Sequence, residues 1–339
     1  MRFCVYTDGD SDQNRMEAAR FAFPIAPTLM KKTGTGRRYP LLAVLMLLAL
    51  SCIPSGVGFA QDETPPPTHF VPAEDLHFYL VRPFHWDDTD WVDRYYPYGW
   101  DAHNGLATHH GVEFQNKRFT PVLAAGAGIV VFAGTDDRTL IGPQVRYYGH
   151  VVIIRHFFTT ENGQAVYSLY AHLQDIAVEV GDLVEEWQKI GRVGDSGVAL
   201  GSHLHFEIRV GEDPFDYDAT RNPELWLRVY PRYGTLAGRV TDASGDPVYG
   251  MTLHIRRDAA TYPVLTYAYT YVDESVNSDA ILDENFVIGD LPRDVYEVYI
   301  RNANGKILFR QEVEIRSERV SWLEIQLSEL PAPVMAGES

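Results

Sequence analysis

Two short stretches set imidazoles and carboxylates at spacings that can do chemistry. Residues 201–209 read GSHLHFEIR and residues 108–114 read THHGVEF. Side chains alternate between the faces of a β-strand. His203, His205, Glu207 and Arg209 therefore share one face of the first stretch, and Leu204, Phe206 and Ile208 share the other. The same rule pairs His109 with Glu113 and leaves His110 beside Val112 and Phe114. A third stretch, YSLYAHLQDI at 167–176, puts Ser168, Tyr170 and His172 on one face. Histidine and carboxylate together are a donor set that zinc accepts, and further histidines beside such a site can move protons near neutral pH. Taken singly, each stretch also fits an ordinary strand with its polar face in water. The chemistry requires that the stretches meet.

The elements that must bring them together are short strands. Valine-rich alternating runs recur between Gly, Pro, Asn and Asp clusters, and Gly181-Asp182, Gly191, Gly194 and Gly197 punctuate the approach to GSHLH as tight turns require. Long helical periodicity is not found, so the expected fold class is mainly β. GDSG at 194–197 has the look of a serine-protease nucleophile turn, but its flanks are those of a strand connection, and Ser196 is read as a turn residue. The helical zinc signature His-Glu-x-x-His is absent from the chain. His254 has no metal-spaced partner, and the aromatic run YYPYGW at 95–100 reads as packing or as one wall of a groove.

The 339 residues allow two domains, and 45% hydrophobic with 22% charged residues is an ordinary globular composition. Residues 1–60 stand apart. A basic flank, an apolar run from Leu41 to Leu50 and small residues ending at Ala60 form a secretory signal pattern, with Met30 the expected start and residues 1–29 an over-extended gene start. The run is shorter than the about 20 residues needed to span a bilayer, so the expected membrane contact is through the signal alone. Cys4 and Cys52 both fall in this segment, leaving the exported part free of thiols and disulfides; Ala49, three before Cys52, disfavours a lipid anchor there. Net charge is −17, and residues 61–339 hold 22 basic against 42 acidic residues. Such a chain repels phosphate-rich partners, which excludes nucleic acid.

The remaining organisation is a proline-rich linker at 61–76, a β-rich unit at 77–232, regular short strands at 233–330 that read as a small β-sandwich, and a tail at 331–339. No repeat of solenoid period is present.

Taken in order, His-x-Gly-x-acid at 109–113, PVLAAGAGIVVFAG at 121–134, YAHL at 170–173 and VGDLV…IGRVGDSG…GSHLHFEIR up to 209 resemble the lysostaphin-type (LytM-like) zinc endopeptidases over about residues 95–230. The resemblance implies an antiparallel β peptidase domain with an open groove, one Zn²⁺ per chain, peptidoglycan peptides as substrate and a secreted or cell-envelope location. It implies His109, Glu113 and His205 as zinc ligands and His172 and His203 as catalytic histidines outside the metal shell. Three protein ligands leave a fourth position for water, whose pKa bound zinc lowers to about 7. His203 is the expected base and His172 the expected oxyanion donor, a choice the residues leave open. Glu207 and Tyr170 are candidates for orienting the site, with an ordinary ion pair to Arg209 the plainer reading of Glu207. One departure stands out: Glu113 occupies a position where the family carries aspartate. It keeps a rival reading alive, a weakly active or inactive scaffold that binds peptidoglycan or activates another wall hydrolase. A third reading is an adhesion protein whose zinc is closed off by a fourth protein ligand. Residues 285–300, NFVIGDLPRDVYEVYI, resemble carboxypeptidase regulatory-like, prealbumin-like sandwiches, which implies a spacer or recognition module.

Overall fold

Alternation in the sequence becomes antiparallel pairing in the computed structural model, which describes residues 68–329 apart from 104 and 258–263. The expected signal segment, the first part of the linker and the tail lie outside the described residues. Among those described, no helix is long and apolar enough to cross a membrane. In chain order the strands are β1 (His69–Phe70), β2 (Val112–Phe114), β3 (Pro121–Leu123), β4 (Gly128–Thr135), β5 (His150–Thr159), β6 (Ala165–Ile176), β7 (Leu183–Val184), β8 (Lys189–Val193), β9 (Leu204–Val210) and β10 (Thr220–Arg221). The series continues with β11 (Tyr233–Thr241), β12 (Thr252–Arg257), β13 (Val264–Tyr269), β14 (Phe286–Pro292), β15 (Asp294–Arg301), β16 (Ile307–Ile315) and β17 (Val320–Gln326).

β2 to β10 form one sheet in the order β10-β9-β6-β5-β4-β7, with β2 paired to β9 and β8 bridging β6 and β3. Its central strand β5 reads VVII at 151–154 without alternation, because the sheet is covered on both faces. Val152 and Ile154 join Tyr170, Phe206 and Phe114 in one core. Val151 and Ile153 join Leu169, Ala171 and Tyr148 in another. β9 obeys the same logic. All seven of its residues are buried, so the polar face of HLHFEIR does not meet water as a half-solvated strand would. It is covered by the segment before β5, where Asp136 accepts hydrogen bonds from the backbone N–H groups of Tyr148 (2.7 Å) and Gly149 (3.0 Å).

The regular short strands expected over 233–330 are present as the seven strands β11 to β17. Together with β1 they form two four-stranded sheets, β1-β17-β11-β14 and β13-β12-β15-β16, and Leu236, Leu253, Phe286, Tyr296, Ile300 and Leu323 share one core. β11 and β17 pair in parallel, and the remaining strand pairs are antiparallel. β1 corrects one expectation: His69–Phe70, placed in the linker by its proline-rich surroundings, pairs with Ser321 and Trp322 at the edge of a C-terminal sheet. The packing is also continuous across residue 232. Tyr271, Val276, Val287 and Val320 belong to the same buried cluster as Phe114 and Phe206.

Polar groups seal this contact. The Arg82 guanidinium grips the Asp290 carboxylate with two hydrogen bonds of 2.7 and 3.0 Å, and both side chains are buried. Glu224 accepts the Gly289 N–H at 2.7 Å. Removing one partner of a buried ion pair strands the other charge at a cost of about 3–5 kcal/mol. Arg82→Leu is therefore expected to lower the stability of the chain by about that amount, while Arg82→Leu combined with Asp290→Asn recovers part of the loss, as read by urea unfolding.

Candidate metal centre

The register of β2 on β9 places Glu113 directly opposite His205. His109 lies just before β2, where its backbone N–H donates to Trp100 O at 3.0 Å. The three side chains converge: His109 Nε2 lies 3.0 Å from Glu113 Oε1 and 3.1 Å from His205 Nδ1, and His205 Nδ1 lies 3.1 Å from Glu113 Oε1. They form the one His/Cys/Asp/Glu cluster of metal-holding geometry among the described residues. All three are buried. Gly111 is needed between them, since a Cβ there would stand 2.5 Å from Phe206 O and 2.9 Å from the His205 ring.

The outer nitrogens of the two imidazoles show which protons each ring carries. His109 Nδ1 donates to Tyr96 O at 2.7 Å, and the ring is stacked on Tyr96 at 3.9 Å. His205 Nε2 donates to Glu207 Oε1 at 2.9 Å. In their neutral tautomers both rings therefore turn lone pairs inward, onto each other and onto a carboxylate oxygen. Three acceptors about 3 Å apart repel unless a positive charge joins them. Without an ion a proton takes that place: burial alone would depress the His205 imidazole, but the hydrogen bonds to Glu113 and Glu207 outweigh it and raise its pKa to about 9. Burial likewise opposes a charged Glu113, yet its three histidine neighbours hold it well below the usual carboxylate range. Glu113 Oε2 is buried without a hydrogen-bond partner; His203 Nε2 is 2.8 Å away but poorly aligned. Two imidazole nitrogens, each ring with its far side anchored, and a carboxylate fit a three-ligand zinc site. The extra methylene of Glu113 does not break this arrangement, since its Oε1 reaches both nitrogens.

Glu207, a candidate from the sequence, does orient His205. It is fully buried, its other oxygen accepts Arg209 Nε at 2.7 Å, and the Tyr148 hydroxyl donates to it. Arg209 is in turn anchored on Ile141 O and Pro214 O. Tyr170 does not serve this site. Its Cα partner is Phe206, its ring packs on that residue in the opposite core, and its hydroxyl accepts from Ala125 N and Ser168 Oγ. The expected shared face of Tyr170 and His172 fails because His172 has φ +60°. That left-handed backbone turns the imidazole to the site, with ring centroids 4.9 Å from His203 and 5.8 Å from His205. His172 Nδ1 donates to Ser196 O at 2.8 Å, and its pKa is driven down to about 3 by burial and then by His205 and His203.

Ser196 is the turn residue expected: its hydroxyl donates to Leu173 O and accepts from His150 N, both at 2.8 Å. His110 stacks on Tyr217 and bonds to its carbonyl, away from the cluster. Tyr96 and Tyr148 were missed by spacing arguments; each packs on a histidine of the cluster from a loop that alternation does not describe. A cleft of about 780 Å³ lined by Trp86, Trp187, Leu123 and Tyr230 shares no residue with the site.

Residues 107–217 match the model of Peptidase family M23. The M23 segment contains all five predicted metal and catalytic residues. Among curated proteins, the chain is 35% identical over 121 residues to the DD-carboxypeptidase/endopeptidase Mpg of Neisseria meningitidis, covering 35% of this chain and 24% of that protein. It is 33% identical over 109 residues to the peptidoglycan DD-endopeptidase ShyA of Vibrio cholerae, covering 32% and 22%. The chain thus spans about a quarter of the length of these relatives. The catalytic domain of lysostaphin from Staphylococcus simulans aligns at 28% identity over 38% of this chain and 82% of that domain, with a TM-score of 0.29.

Because a proton on His205 competes with a metal ion for Nδ1, metal affinity is expected to fall about tenfold per pH unit as the pH drops below about 9. Chelator competition at pH 6, 7 and 8 reads this slope, and equal affinity across that range would contradict it.

Proposed function

We propose that this chain is an exported zinc metallo-endopeptidase that cuts peptide bonds of bacterial peptidoglycan, with His109, Glu113 and His205 holding one zinc ion. The observation that carries the reading is the convergence of three lone-pair donors on a buried point that only a cation can stabilise. The M23 match and the activities named in Mpg and ShyA support the substrate class. The signal pattern at 37–60 supports export, and the two C-terminal sheets around one core support reading 233–330 as a sandwich of the prealbumin-like kind.

When bound, zinc would supply Lewis acidity and an activated water at neutral pH. The proton traffic falls to the two remaining histidines. His172 gives its Nδ1–H to Ser196 O and is kept neutral, so its Nε2 is an acceptor; we assign it the proton taken from water. His203 has both ring nitrogens facing oxygens, Gly201 O at 3.0 Å from Nδ1 and Glu113 Oε2 at 2.8 Å from Nε2. A proton on Nε2, on the side of the Glu113 carboxylate, would give His203 a hydrogen bond to offer the oxygen on which charge develops, and we assign it that role. This assignment reverses the sequence expectation of His203 as base and His172 as oxyanion donor, and the hydrogen bond from His172 Nδ1 to Ser196 O is what favours it.

His172→Ala and His203→Ala are each expected to lower kcat about 10²–10⁴-fold with zinc content unchanged, as measured by release of free amines from purified peptidoglycan. A folded, zinc-loaded wild type that releases none would overturn the endopeptidase reading in favour of the binding scaffold.

A further inference from the structure

The segment that holds His109 does not rest on the peptidase sheet alone. Residues Tyr96 to Trp100 lie between His109 on one side and the C-terminal strands on the other. Toward His109, Tyr96 stacks on the imidazole and accepts its Nδ1–H, Gly99 N donates to His109 O at 2.8 Å, and His109 N donates to Trp100 O. Toward the C-terminal sheets, the Trp100 indole stacks on Tyr269 of β13 at 4.0 Å and 18°. Val272 N donates to Gly99 O at 2.9 Å, and the Tyr98 hydroxyl bonds both N and O of Asn277 at 3.1 Å. Gly99 has φ +72° and sits so close to Tyr271 that a Cβ would enter the phenol ring. Gly99 and Trp100 are thus held from both sides, and residues 269–277 supply contacts on the side facing away from the metal cluster.

We propose that Tyr269 is a positioning residue for His109, and that the C-terminal sheets complete the metal centre instead of merely following it. The inference rests on reading His109 as a ligand. The orientation of an imidazole ligand is set by the acceptor of its outer N–H, and here that acceptor is the carbonyl of Tyr96. The carbonyl is held in place only as firmly as the segment around it. Tyr269 provides the flat surface against which Trp100 is stacked, so removing that ring frees the C-terminal end of the segment while leaving every metal ligand in the chain. The C-terminal unit thereby gains a role in the reaction without touching substrate.

The test uses the whole chain with Tyr269→Ala, Tyr269→Phe and Tyr299→Ala. Tyr299 is a more deeply buried ring on β15 that stacks on His254 instead. Zinc affinity is measured by chelator competition, and amide hydrogen exchange of residues 96–110 is followed in the metal-free protein. Tyr269→Ala is expected to weaken zinc binding about tenfold and to speed exchange at Gly99 and His109. Tyr269→Phe, which keeps the stacking ring, restores both, and Tyr299→Ala changes neither. If the wild type binds zinc and Tyr269→Ala matches it in affinity and exchange, this inference is overturned and the metal reading stands. The same holds if Tyr299→Ala does equal damage. If the folded wild type binds no zinc, the metal reading falls and takes the inference with it.

Discussion

Three acceptor atoms held about 3 Å apart in a buried place set the terms for everything around them. Neither imidazole can relieve the repulsion by turning over, because each spends its one N–H outward, His109 on Tyr96 O and His205 on Glu207. Glu207 is itself pinned by Arg209 and Tyr148, and Arg209 by two backbone carbonyls. The cluster is therefore a site whose charge requirement is built into its surroundings. Burying polar groups this completely is costly unless every partner is present, and that cost explains why the polar face of β9 is so heavily covered.

Much of this was legible in the sequence because it rests on strand alternation. His203, His205, Glu207 and Arg209 do share a face, with Leu204, Phe206 and Ile208 in the opposite core, and the seven C-terminal strands follow their turn signals. What could not be read depends on departures from alternation or on distant chain. Period two puts His172 with Tyr170; a single positive φ separates them and sends one to the site and the other to the core. The burial of the polar face depends on the Asp136–Gly149 segment folding back over β9, a tertiary choice that leaves no local signal. β1 was lost to its proline-rich surroundings because two residues pairing at an edge strand carry no periodicity.

Glu113 shows how a departure from a family pattern should be weighed by geometry. A longer carboxylate could have pushed the metal point outward, yet one oxygen reaches both histidine nitrogens. The other oxygen faces His203, so this side chain links the His109–His205 cluster to His203. The continuity of the core from Phe114 to Tyr271 has a related meaning. The β2–β10 sheet and the C-terminal sheets are packed together through Arg82–Asp290 and Glu224–Gly289, with the His109 segment between them.

The most direct measurement is zinc per chain in the purified protein, beside His109→Ala and His205→Ala, each checked for folding by circular dichroism. The account predicts about one zinc per wild-type chain, lost in both substituted chains while the β fold remains. A folded wild type that takes up no zinc after supplementation at pH 8 would contradict it, since the buried acceptors would then be satisfied by a proton alone.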